Sequence, residues 1–195
     1  MHYTLYQQSR NLSWEVLINE GVTALPVKMG ELCAALGLEV IITELDSVSG
    51  DGKTVSVDGK PYILIDGRTS VRRQRFTLAH EVGHVLLGHV GRYKLVNREP
   101  APGDNPIEQA ANVFASRLLA PACVLWALDV HTPEEIAELC NISRTAAEFR
   151  ARRMELLYAR EARFLKEKGQ SCFLSSPLER EVFEQFRDFI DRQKG

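Results

Sequence analysis

The sequence has no excess of positive charge, no closely spaced cysteine pair and no hydrophobic run of membrane-spanning length. Its 24 Lys and Arg face 26 Asp and Glu, a formal net charge of −2, and the pI is about 6.2. That balance argues against a general binder of nucleic acid or of anionic membrane surfaces, while leaving room for a local basic patch. The four cysteines, Cys33, Cys123, Cys140 and Cys172, are scattered and form no CxxC pair. Such spacing suits reduced, buried thiols better than a disulfide framework or a cysteine metal site. The opening MHYTLYQQSRNLSWEVL lacks the basic start and apolar run of a secretory signal. No apolar stretch approaches the roughly 20 residues of a transmembrane helix. A cytoplasmic protein with no membrane partner is expected.

What the chain does have is enough apolar matter for a core. At 195 residues, 45% hydrophobic and 26% charged, it can fold without disulfides or a structural metal. Helical spacing marks residues 12–20 and 27–37. Three strands follow, Glu39–Leu45, Thr54–Asp58 and Tyr62–Asp66, the last two joined through the turn dipeptide Asp58-Gly59. From Ser70 onward the pattern is helical. Ser70 caps a helix running to about Gly88, and Asn105-Pro106-Ile107-Glu108 opens another that reaches Leu119. Thr132-Pro133-Glu134-Glu135 repeats that signature, Cys140–Ser143 links into a helix over 144–168, and Ser176-Pro177 opens a C-terminal amphipathic helix over 177–193. The predicted fold is α+β: a small antiparallel sheet packed on the helix after Ser70, then an all-helical C-terminal half. A boundary between 1–125 and 126–195 fits this division.

Within the helix after Ser70, His80-Glu81-Val82-Gly83-His84 forms HExxH. Positions i and i+4 lie about 40° apart on a helix, so both imidazoles reach one ion. Zinc suits them, because it takes neutral imidazole at roughly 2.0–2.1 Å and tolerates an open fourth position. Glu81, one residue on, would take a proton from the bound water and later deliver it to the leaving amine. The bland alternative is a buried helix that happens to hold two histidines. Against it, the flanks are apolar almost all round (Phe76, Leu78, Ala79, Val82, Val85, Leu86), and polar groups in such a helix are costly unless satisfied.

A tetrahedral site needs a third protein ligand. The extended form HExxHxxGxxH is absent, since Leu87 and Val90 occupy the relevant positions. His89 lies five residues past His84, about 140° round an ideal helix, and is expected to point elsewhere as a helix-end or surface histidine. Glu108 is the better ligand. With Asn112 and Ala115 it forms one stripe of its helix, beside the apolar stripe of Ile107, Ala111, Phe114 and Leu118. Packed against the HExxH helix, this arrangement aims Glu108 at the metal and Asn112 at a ligand imidazole, whose tautomer it would set. The competing role for Glu108 is to close a capping box with Asn105.

FTLAHE leading into HExxH, with ExxANxFAxxLLxP some twenty residues later, resembles the ImmA/IrrE family of metallo-endopeptidases. The pieces here are Phe76–His84 and Glu108–Pro121, and the resemblance extends over roughly residues 15–160. Many relatives have a second acidic residue in the glutamate motif where this chain has Ala110, which leaves Glu108 as its sole carboxylate. The resemblance implies a zincin-like peptidase using Zn2+, with Mn2+ compatible with the same donors. It also implies a protein substrate, a helix-turn-helix transcriptional repressor whose cleavage derepresses stress or mobile-element genes. In zincin-like folds an edge strand pairs with an extended peptide, and Tyr62–Asp66 is the candidate, with Pro61 at its start. Tyr93 and His131 are candidate donors to the oxyanion.

Residues 144–168 carry eight Lys or Arg against four Glu. A rival assignment follows from them: a helix-turn-helix-like segment over 132–158 binds DNA or a repressor, and the metal site is non-catalytic. A solvated helix laced with i,i+4 ion pairs is the plainer account. Direct nucleic-acid contact is therefore not expected, and the oligomeric state is not readable from the sequence.

Overall fold

The computed structural model describes residues 3–46, 50–90, 105–169 and 171–195. The chain divides into two compact units, Met1–Leu12 with Lys28–Ala115 and Ser13–Val27 with Ser116–Gly195.

The first unit is α+β. Helix α1 (Tyr3–Asn19) contributes its start. This helix begins well before the expected residue 12, because its polar first turns carry no apolar periodicity. Ser9, a poor helix former, returns its hydroxyl to the Leu5 carbonyl at 2.9 Å. Helix α2 (Met29–Ala35) buries Met29, Leu32 and Cys33. Gly37 then takes φ +67°, a left-handed conformation open to glycine, and ends the helical run. Strands β1 (Glu39–Thr43), β2 (Gly52–Val57) and β3 (Lys60–Asp66) follow. Asp58 and Gly59 both have positive φ, 49° and 78°, as a two-residue type I′ hairpin requires.

The expectation of an antiparallel sheet needs correction, because the sheet is mixed. β3 lies in the middle of the order β1-β3-β2. It pairs antiparallel with β2 and parallel with β1, with Glu39 opposite Tyr62 and Thr43 opposite Asp66. The most buried strand takes the centre: Ile63 and Ile65 are enclosed, whereas Ile41 and Ile42 on β1 are exposed. Tyr62–Asp66 is therefore not the edge strand predicted. Pro61 is tolerated for another reason. Val57 and Lys60 close the hairpin as a hydrogen-bonded pair, so Ser56 and Pro61 meet at a non-bonded position where the missing N–H costs the ladder nothing.

Helix α3 (Val71–Leu86) packs on this sheet and α4 (Pro106–Leu119) follows. Ser70 caps α3, accepting the Arg73 N–H at 3.4 Å. Below them the unit buries Ile63, Ile65, Ala79, Val82, Ala111 and Phe114.

The second unit is helical: α5 (Ala122–Ala127), α6 (Pro133–Cys140), α7 (Arg144–Lys168), α8 (Pro177–Gln185) and α9 (Arg187–Lys194). Thr132 and Glu135 form the predicted capping box. Asn141 with φ 49° and the Ser143 cap make the tight link into α7. Glu161 is buried on α7 and accepts the Cys172 and Phe173 backbone N–H groups at 2.6 and 3.3 Å, tying down the returning chain. The single C-terminal helix expected over 177–193 is two. A break at Phe186 separates them, and Val182, Phe186, Phe189 and Ile190 are all buried. Gln185 donates to the Leu17 and Val22 carbonyls at 2.7 Å each, anchoring this end to the close of α1.

All four cysteines are buried and unbridged. One further expectation needs correcting. The stretch Pro106–Ala127 is long and apolar enough by composition to cross a membrane, yet 78% of its apolar window is buried inside the protein. Pro121 also interrupts it, capping α5. These are core helices.

Candidate metal centre

His80 and His84 stand one turn apart on α3, 7% and 9% exposed. Their Nε2 atoms are 2.9 Å apart. Glu108 reaches both from the first turn of α4, with Oε2 3.2 Å from His80 Nε2 and Oε1 3.3 Å from His84 Nε2. It does not close a capping box. Asn105 Oδ1 takes the Ile107 N–H at 3.0 Å, which leaves the carboxylate for the histidines.

The outer ring nitrogens are also engaged. His80 Nδ1 is 2.9 Å from Asn112 Oδ1. A carboxamide oxygen only accepts, so the ring's proton sits on Nδ1 and a neutral His80 presents a bare Nε2 to the cluster. His84 Nδ1 meets His89 Nδ1 at 3.0 Å. This overturns the expectation that His89 points elsewhere. α3 ends at Leu86 and Gly88 takes φ +71°, so the 3.6-residue period no longer applies by position 89. The signal was in the sequence, since a glycine after an apolar run is a helix stop. Burial first, and the adjacent His84 next, push His89 down to about 4, leaving it neutral near pH 7.

His80, His84 and Glu108 each offer one ligand atom, and these atoms lie within 4.8 Å of one another. The donor set fits a divalent cation. Ligand atoms about 2.0–2.1 Å from a tetrahedral ion stand about 3.3 Å apart, close to the 2.9, 3.2 and 3.3 Å observed. Lone pairs crowded this closely in a mostly buried pocket need a positive charge among them.

Two close approaches seat the elements. A Cβ on Gly83 would lie 2.9 Å from the Phe114 ring and 3.3 Å from Phe114 Cβ, so glycine lets α4 come near enough to deliver Glu108 and Asn112. Gly83→Val should destabilise the metal-free protein by about 1–3 kcal/mol through overpacking, measured by urea unfolding. Glu81, 2% exposed, projects instead towards the sheet, where the Thr54 hydroxyl donates to Oε2 at 2.8 Å. Thr54 carried no signal in the sequence, because the two residues are 27 positions apart and a strand threonine is ordinary.

Of the candidate oxyanion donors, Tyr93 lies outside the described residues. His131 belongs to the second unit, where it bonds Asp129 Oδ1 at 2.8 Å and stacks on Tyr158 at 4.3 Å between centroids.

A search of curated proteins found no match to the chain. Residues 33–152 match the IrrE N-terminal-like domain of the M78 peptidases, a span that includes His80, Glu81, His84, Glu108 and Asn112. Covering more than half of the chain, that match places the protein in the M78 peptidase family, whose members are metallopeptidases.

Proposed function

We propose that the chain is a zinc-dependent endopeptidase acting in the cytoplasm, and that its substrate is a helix-turn-helix transcriptional repressor. The observation that carries the enzymatic part is the convergence of His80, His84 and Glu108 beside a buried glutamate one residue along α3. A divalent cation bound there would lower the pKa of a water towards about 7 and polarise the scissile carbonyl. Glu81 takes the proton from the attacking water and passes it to the amide nitrogen as the C–N bond breaks. Zinc suits two imidazoles and a carboxylate, and manganese is accommodated by the same donors.

An extended peptide would pair with β2. It is the outer strand on the side of the sheet that meets Glu81, and in its ladder with β3 the backbone groups of Thr54 and Ser56 turn outward. The repressor assignment rests on family likeness. It is tested by incubating the zinc-loaded chain with any helix-turn-helix repressor found encoded next to its gene, and mapping fragments by mass spectrometry. Excess chelator should stop cleavage and added zinc restore it; a repressor cut equally under both conditions would sink the proposal.

Asn112 and His89 serve here to orient the ligand imidazoles. Asn112→Ala and His89→Ala should each weaken zinc binding by about 10- to 100-fold, read by competition with a chromophoric chelator. The rival assignment as a DNA-binding regulator draws less support, because Arg144, which opens α7, is engaged by Glu134 and Glu148 at 2.8 and 3.1 Å.

A further inference from the structure

We infer that Thr54 is a positioning residue for Glu81, holding its carboxylate turned for proton transfer through a register fixed between β2 and α3. The inference rests on the endopeptidase assignment and extends it to a residue outside the HExxH and glutamate motifs.

Two independent contacts carry it. The Thr54 hydroxyl donates to Glu81 Oε2 at 2.8 Å, and the two residues are 5% and 2% exposed. Two residues earlier on the same face of β2, Gly52 meets α3 so closely that a Cβ there would lie 2.5 Å from Thr77 Cγ2. Thr77 and Glu81 are one helical turn apart. Two strand residues advance about 6.8 Å and four helical residues about 6.0 Å. Gly52 against Thr77 and Thr54 against Glu81 therefore form matching steps, and the strand cannot slide along the helix without losing both.

A glutamate has three side-chain torsions to fix before it is a directed base. A donor on a β-branched strand residue, itself stiff at χ1, supplies a fixed anchor for one oxygen. A misplacement of about 1 Å at a reacting group is enough to cost on the order of 100-fold in rate. Valine has nearly the same shape as threonine and cannot donate; serine keeps the donor and loses only a methyl group.

The test uses the zinc-loaded full chain and a library of fluorescence-quenched peptides of random sequence, with kinetics on the member cut best. Thr54→Val should lower kcat by about 10- to 100-fold while KM and bound zinc stay at wild-type levels, and Thr54→Ser should restore most of the loss. Gly52→Ala, which wedges β2 from α3, should lower kcat in the same way. In the metal-free protein, the melting shift caused by Thr54→Val should shrink when Glu81 is already alanine. Full kcat in Thr54→Val, zinc lost together with kcat, or no rescue by serine would each overturn the role of Thr54 while leaving the enzyme assignment standing. Undiminished hydrolysis by Glu81→Gln in the same assay would overturn both.

Discussion

Glu81→Gln should bind zinc as the wild type does and hydrolyse peptides about 10²- to 10⁴-fold more slowly, the range over which a positioned general base contributes. The carboxamide keeps the size of the side chain, and its oxygen still accepts from the Thr54 hydroxyl, at 2.8 Å from Glu81 Oε2 in the structure. It cannot take up the proton of the attacking water. Folding should not suffer, because the carboxamide is nearly isosteric with the carboxylate at a side chain that is 2% exposed. Steady-state kinetics on the best-cut quenched peptide, paired with metal analysis of the same preparation, separate the two effects. Loss of metal along with activity would show that Glu81 acts on the site's structure and not on the proton.

The second large effect concerns the metal itself. His80→Ala, His84→Ala and Glu108→Ala should each weaken zinc binding by more than about 100-fold, beyond the loss expected for an outer partner such as Asn112. The wild type should carry about one zinc per chain after dialysis and the variants almost none. A ligand that binds only the native state at about 1,000 times its Kd adds about 4 kcal/mol. For a chain of this length that raises the melting temperature by roughly 8–16 °C. Zinc should produce this rise in the wild type and fail to do so in the three variants. A Glu108→Ala protein that still shows the full rise would remove the carboxylate from the ligand set.

The parts of this protein that were legible before any coordinates share a short range. HExxH lies within a single helical turn, so geometry alone puts His80 and His84 on one face. Glu108 and Asn112 are again i and i+4, and the chemistry of a three-ligand site selected them from their helix. Capping signals placed the starts of α3, α4, α6 and α8 within a residue or so, because a cap is a contact between near neighbours. The Asp58-Gly59 hairpin was read in the same way, from a dipeptide tolerant of positive φ.

What stayed hidden depends on contacts between segments far apart in the chain, or on a point where a helix stops being a helix. Strand order was one such feature: a hairpin dictates that β2 and β3 run antiparallel, but nothing local says that β3, not β2, takes the place beside β1. His89 was misplaced because an ideal helical period was carried past Gly88. The break at Phe186 left no local signal, since Val182, Phe186, Phe189 and Ile190 keep the spacing of one helical stripe across it. Residue type and local spacing singled out the candidate ligands and the candidate base. Only tertiary packing decided how they are held, through Gly83 against Phe114, Gly52 against Thr77, and Thr54 on Glu81. The physical reason is that ligand identity follows from the electronic character of single side chains, whereas orientation is set by close contact between surfaces that meet only when the chain has folded.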